Sequence, residues 1–264
     1  MLWLLAAGLA WAAASPAWAQ SSDQNYAEFT VQAQWKDTSR SSGLTIPPNP
    51  QINFSRDAGL GERVGPVFRF IFIPQGRFLG ADNKFRIEYG WLNQDKDFII
   101  NRTITIPGRV IVINSNLNLN VKTKDFHLAY SPRWGNEKVR IGPLFEYEHL
   151  DVNLKLTNLT PNAPPPTTTE LDTPNNIFNL GFDFDITPSE KVDIYGFLGA
   201  IPCCGDGWHG VSTEYGVKFL PVKHFGINAG FRYSNLRFEG TSNDITFALK
   251  TAGIGPFVGA TFRF

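Results

Sequence analysis

Residues 253–264 read GIGPFVGATFRF. Ile254, Pro256, Val258, Ala260, Phe262 and Phe264 alternate with Gly255, Phe257, Gly259, Thr261 and Arg263. Neighbouring side chains of a strand point to opposite faces, so a period of two means a strand with two unlike surroundings. Soluble domains usually let their termini fray into polar residues. An aromatic residue in last place, on the apolar side of such a strand, suits a segment that crosses a membrane.

The same alternation recurs along the chain. Phe29, Val31, Ala33 and Trp35 oppose Glu28, Thr30, Gln32 and Gln34, and Phe85, Ile87, Tyr89 and Trp91 oppose Lys84, Arg86, Glu88 and Gly90. Phe178, Leu180, Phe182 and Phe184 oppose Asn179, Gly181, Asp183 and Asp185. The pattern predicts about ten strands, eight being the alternative, near 26–36, 64–74, 82–94, 115–131, 138–156, 175–187, 191–200, 210–220, 224–238 and 252–264. Their connections alternate in length. RWGNE, TPSE, PVKH and PQGRFLGADN are short, whereas 37–63, 95–114, 157–174, 201–209 and 239–251 read as long polar loops. Short turns at one end and long loops at the other fit an antiparallel up-and-down transmembrane β-barrel with its long loops outside the cell. A soluble sandwich also alternates, but its apolar faces meet in a core. Here the apolar faces are rich in Phe, Tyr and Trp, as girdles at lipid interfaces require. The polar faces set glycine beside charge, as in Gly181 with Asp183 and Gly230 with Arg232. That suits a narrow interior.

The front of the chain agrees with export. An apolar stretch runs from Leu2 to Ala14, and Ala17-Trp18-Ala19 is a small-x-small cleavage pattern, so residues 1–19 are expected to be a signal peptide and residues 20–264 the barrel. The stretch is too short for a membrane helix, which needs about 20 residues. The 24 Lys plus Arg balance the 24 Asp plus Glu. That balance speaks against a nucleic-acid partner, which calls for a basic excess. Two cysteines are too few for a disulfide framework.

These features together resemble the bacterial outer-membrane β-barrel proteins. The resemblance implies an outer-membrane location, lipid around the barrel, a monomer, and a role for Phe264 as the signal to the barrel-assembly machinery. INFSRDAGLG (52–61) also resembles a segment common in barrels of this kind. Parity assigns to the interior Glu28, Glu88, Glu146, Glu148, Asp183, Asp185 and Glu214, together with Arg69, Arg86, Arg140, Lys218, Arg232 and Arg263. A barrel of this size is about wide enough to be filled by side chains. Charges excluded from water must pair, so a plugged interior held by ion pairs is expected, with a narrow polar pore as the alternative.

No catalytic, cofactor or metal site is assigned. FEYEHLDVN (145–153) sets Glu146, Glu148, His149 and Asp151 near a predicted outer rim. That is similar to the omptin proteases, which have ten strands and an acid–base site at the rim, but no Asp-x-Asp stands at a matching position. His127 with Ser131 lies on the polar face, unlike the lipid-facing His and Ser of the lipid A deacylases. Cys203 and Cys204 are adjacent and could close a vicinal disulfide, or join Asp206 and His209 around a soft metal. The leading expectation is a non-enzymatic structural, adhesive or loop-binding role, ahead of a narrow channel and of a rim hydrolase.

Overall fold

The computed structural model describes residues 26–38, 42–49, 51–101, 103–106, 109–111, 114–163, 165, 167–201, 209–242 and 245–264. The expected signal peptide and the Cys203–Cys204 pair lie outside them. Among the described residues fourteen strands are formed, of which ten close a ring. In chain order the ring strands are β1 (Tyr26–Thr38), β4 (Glu62–Ile73), β5 (Asp82–Ile99), β8 (Asn116–Gly135) and β9 (Val139–Asn158). They continue with β10 (Thr168–Ser189), β11 (Val192–Ile201), β12 (His209–Val222), β13 (Phe225–Ser242) and β14 (Ile245–Arg263). Each pairs antiparallel with its neighbours, and β1 pairs with β14 to close the barrel. At the closure the Phe264 amide donates to the Ala27 carbonyl at 2.9 Å.

The ten predicted strands all form, but several are longer than the alternation suggests. β8 and β9 each hold 20 residues and β10 holds 22. A tilted strand crosses the hydrocarbon in about 9–11 residues, so roughly half of each stands outside the membrane. Much of what read as long loops is therefore strand. Residues 239–242 and 245–251 continue the β13–β14 hairpin, 168–174 belong to β10, and 95–99 belong to β5.

Within these strands the two faces exchange character. On the lower part of β8 the outward residues include Phe126, Leu128, Tyr130 and Trp134, and the inward ones include His127, Ser131 and Arg133. On its upper part the outward residues are Asn116, Asn118, Asn120, Lys122 and Lys124, and the inward ones Leu117, Leu119 and Val121. β9 does the same: Phe145 and Tyr147 face out below, His149, Asp151, Asn153 and Lys155 face out above, and Leu150, Val152, Leu154 and Leu156 turn inward. The physical reason is the solvent. Lipid accepts only apolar side chains on the outer wall, while water outside the membrane rewards the reverse.

The inward apolar residues of the outer half form one cluster, of 23 buried side chains among the described residues. Part of it comes from the connection after β1. That segment folds back as β2 (Gly43–Thr45) and β3 (Ile52–Asn53), with β2 pairing to β14. Leu44, Ile46, Ile52, Phe54, Ala58 and Leu60 enter the mouth of the barrel and join the cluster. INFSRDAGLG makes the tight turn of this plug: Asn53 Oδ1 accepts from the Arg56 amide at 2.7 Å, and the Leu60 amide donates to the Phe54 carbonyl at 2.8 Å. A small hairpin of β6 (Ile104–Ile106) and β7 (Arg109–Ile111) adds Ile104 and Ile111, and Asn49 ties it to the plug through the Thr105 backbone.

Glycines on the inner face serve a closer purpose than making room for ion pairs. A Cβ at Gly142 would stand 1.8 Å from the Pro132 carbonyl, and one at Gly181 would stand 1.9 Å from the Leu198 carbonyl. These positions are glycine because a neighbouring backbone approaches them.

Candidate functional site

Below the apolar cluster the barrel interior is ionic. All thirteen charged residues assigned to the interior by parity point inward, and they sort into linked groups. At mid-height Arg69 of β4 reaches Glu88 of β5 at 2.7 Å and Glu214 of β12 at 2.6 Å. Arg232 of β13 pairs with the same two carboxylates, standing 2.8 Å from Glu214. Because β4–β5 and β12–β13 are well separated around the ring, this quartet ties one wall to another across the lumen. All four side chains are nearly inaccessible to solvent.

Two further groups lie toward the β5–β10 wall. Arg86 donates to Glu146 at 2.7 Å, and Glu146 also accepts from Asn179 at 3.1 Å. The Arg86 guanidinium lies 4.3 Å from the centre of the Phe197 ring, which gives its other face a favourable contact. Lys84 stands 3.1 Å from Asp183 and 3.3 Å from Asp185, and Arg133 pairs with Asp185. At the β1 end Glu28 pairs with Lys218 and, at 2.9 Å, with Arg263, which reaches Asp193 at 2.8 Å. Arg140 sits at the short-turn opening, about a quarter exposed, 2.8 Å from Asp82. Buried pairs of this kind hold their geometry because removing either partner strands a charge.

The interior therefore has three levels. A cavity of about 600 Å³, lined by Tyr26, Lys84, Asp185, Asp193, Lys218 and Arg263 among others, opens at the short-turn end. The ionic network crosses the middle. Above it a cavity of about 120 Å³ has Asp125, His127, Glu148 and Arg232 on its polar side and Phe54, Leu92, Val121, Leu150 and Leu249 on its apolar side. The plug closes the top.

The list of interior charges left out Asp82, Lys84, Asp125, His127, Arg133 and Asp193, although Lys84 and His127 stand on faces already read as polar. Lys84 and Asp82 stand two and four residues before Arg86, and Arg133 stands six after His127. The rim grouping of Glu146, Glu148, His149 and Asp151 does not hold. The two glutamates point inward, whereas His149 and Asp151 lie on the outer wall, where His149 Nδ1 is 2.9 Å from Asn176 and Asp151 is 3.9 Å from Lys124. The odd and even positions of one strand cannot share a site. Phe264 faces outward, 73% exposed, at the foot of the β1–β14 seam.

No protein-family model and no curated protein matches the sequence. The fold is similar to that of solved outer-membrane barrels. The outer membrane protease OmpT of Escherichia coli aligns with a TM-score of 0.52 at 6% identity, covering 93% of this chain and 99% of that one. The Pseudomonas putida toluene transporter TodX aligns at 0.31 and 10% identity, covering 94% and 91%. Ail, the attachment invasion locus protein of Yersinia pestis, aligns at 0.29 and 11% identity, covering 92% and 99%. The likeness shows the fold, an all-β antiparallel barrel of the transmembrane kind closed by ten strands.

Proposed function

We propose that this outer-membrane barrel is a non-conducting surface protein, in which the membrane half is the anchor and the outer half a stiff scaffold for structural or adhesive contacts. The observation that carries the reading is the closed lumen: 23 buried apolar side chains fill the outer half, and the Arg69–Glu88–Glu214–Arg232 quartet crosses the middle. A dry apolar core gives hydrated ions nowhere to pass, since burying a charge without a partner costs several kcal/mol at least. The outer wall above the membrane favours contact chemistry. It carries ladders of polar side chains, such as Asn118 donating to Asp95 and Asp97 at 2.5 and 2.8 Å, and Asn153 donating to Glu170 at 2.7 Å.

A narrow channel for small polar solutes is the second reading, favoured by the 600 Å³ ionic cavity at the short-turn end. A rim hydrolase, the class of the E. coli protein, comes third: it would need an acid–base pair open to the rim. Among the described residues His149 and Asp151 are the nearest match, and they are engaged with Asn176 and Lys124. Phe264, at the end of the closing strand, suits recognition by the assembly machinery, and its deletion is expected to lower the yield of barrel in the outer membrane.

Conductance across a planar bilayer tests the reading. The refolded barrel is expected to give no stepwise current. Stable steps from the unaltered protein would favour the channel instead. Adhesion is read separately: trimming the exposed loops on intact cells should abolish attachment to a surface while the barrel keeps its heat-modifiable gel migration.

A further inference from the structure

The small upper cavity is bordered by a group in which one histidine faces three carboxylates. Asp125 and His127 are two residues apart on β8 and share its inward face, and Glu148 of β9 stands opposite His127 in register. One ligand atom from each of the three lies within 4.8 Å of the others. His127 Nδ1 lies 3.1 Å from Glu146 Oε1, and that carboxylate is fixed in turn by Arg86 and Asn179. A carboxylate accepting from Nδ1 places the imidazole proton there and leaves Nε2 with a lone pair. Nε2 lies 2.8 Å from Asp125 Oδ1. Neither atom is aligned for a hydrogen bond, and both are closed off from solvent without another partner among the described residues.

In that tautomer the two facing atoms are both acceptors, and either a second ring proton or a metal cation must lie between them. Their separation is near that of adjacent donors on one ion, since metal–nitrogen and metal–oxygen bonds of about 2.0–2.2 Å set neighbouring ligand atoms about 3 Å apart. The charges agree. Among the described residues Glu88, Glu146 and Glu214 each have an arginine within ion-pairing distance, whereas Asp125 and Glu148 are paired with His127, and Glu148 also accepts from Asn179. Lys36 and Arg232 also border the cavity. Glu146 then occupies the place that a carboxylate commonly holds behind a metal-bound histidine, orienting the ring and raising its basicity.

We propose that Asp125, His127 and Glu148 bind one divalent transition-metal ion of the zinc class at the inner wall, with Glu146 as the positioning residue behind His127. One imidazole with two carboxylates matches the borderline donors such ions take. Two carboxylates neutralise a divalent charge. The remaining coordination positions open into the 120 Å³ cavity, where Gln34, Gln94, Ser212 and Ser234 can hold bound water.

The test uses the full mature barrel, folded into detergent from denaturant in the presence of Zn²⁺ and then freed of unbound metal. The unaltered protein and a Cys203→Ser/Cys204→Ser variant are expected to retain one zinc per chain. His127→Ala and Glu148→Gln should retain none, with folding checked by heat-modifiable migration. Glu146→Gln should keep the site but weaken it about 10–100-fold. Zinc absent from the unaltered barrel, retained after loss of His127, or lost with the cysteines would overturn the proposal. The first of these results would leave an imidazolium between Asp125 and Glu146 as the cation of the site. Should the His127 and Glu148 variants fail to fold, the cysteine-free barrel loaded with Cu²⁺ decides by pulsed electron paramagnetic resonance. A single coupled imidazole nitrogen supports the site, and none or several would refute it.

Discussion

The two halves of β9 use the same backbone and the same alternation, yet they are built inside out relative to each other. Up to Glu148 the outward side chains include Ile141, Phe145 and Tyr147 and the inward ones Arg140, Glu146 and Glu148. Above it the outward ones are His149, Asp151, Asn153 and Lys155, and the inward ones Leu150, Val152, Leu154 and Leu156. The β8–β9 ladder runs without a shift from Leu117–Asn158 down to Tyr130–Phe145. The exchange of faces is therefore made by composition alone, with no bulge to turn the strand over. It shows that a period of two fixes which residues share a face, while the surrounding solvent decides which face is the inside. The lower half is a membrane protein, and the upper half is a water-soluble β-barrel built on top of it.

That contrast can be broken in graded ways, all read by urea unfolding of the barrel in lipid vesicles. The largest effect is expected from Leu154→Arg, which places an unpaired charge in the outer core, where Leu154 is 3% exposed. A loss above about 4 kcal/mol is expected, in the range that marks a severe fault. The neighbouring outward change Lys155→Leu should be nearly silent, and equal effects at 154 and 155 would contradict the assignment of faces. Next comes Arg69→Leu, which leaves Glu88 and Glu214 to share Arg232 in the ionic lower half. Breaking a buried pair from one side costs about 3–5 kcal/mol. A change of less than about 1 kcal/mol would mean that water reaches this level of the lumen. Phe182→Arg tests the lipid wall, with an expected loss of about 2–4 kcal/mol near the membrane midplane. The smallest effect belongs to Lys124→Ala, which removes an exposed pair with Asp151 at 3.9 Å. Such pairs contribute about 0–1 kcal/mol.

The sequence made the lower half legible and the upper half much less so. In the lower half the contrast between faces is extreme, Phe178, Leu180 and Phe182 against Asn179 and Asp183, so both strand and orientation follow from parity. Above the membrane the contrast is softer. Thr168, Glu170, Asp172 and Pro174 line the outer side of β10 with composition typical of loops, and only their pairing with β9 reveals a strand. The signal that was present is a change of parity within one run. Leu117, Leu119 and Val121 are odd and Phe126, Leu128 and Tyr130 are even, with no turn between them. The group around His127 was hidden for a related reason. Asp125 and His127 lie where the wall changes character, one residue from Lys124 outside and Phe126 in the lipid, and their partner Glu148 comes from another strand. The plug was the least legible part. INFSRDAGLG has no alternation, and its apolar residues act only through contacts distant in sequence.

The exchange of faces is most directly tested by a spin-label scan of β9 from 141 to 157 in a cysteine-free barrel, reading accessibility to oxygen in lipid and to a water-soluble nickel chelate. Odd positions through 147 should respond to oxygen, odd positions from 149 upward to the nickel chelate, and even positions 150–156 to neither. Nickel access at 150–156 would mean an open, watery lumen, and oxygen access at 151–157 would mean that lipid covers the whole strand; either result would contradict a barrel that changes from membrane protein to soluble core partway along its strands.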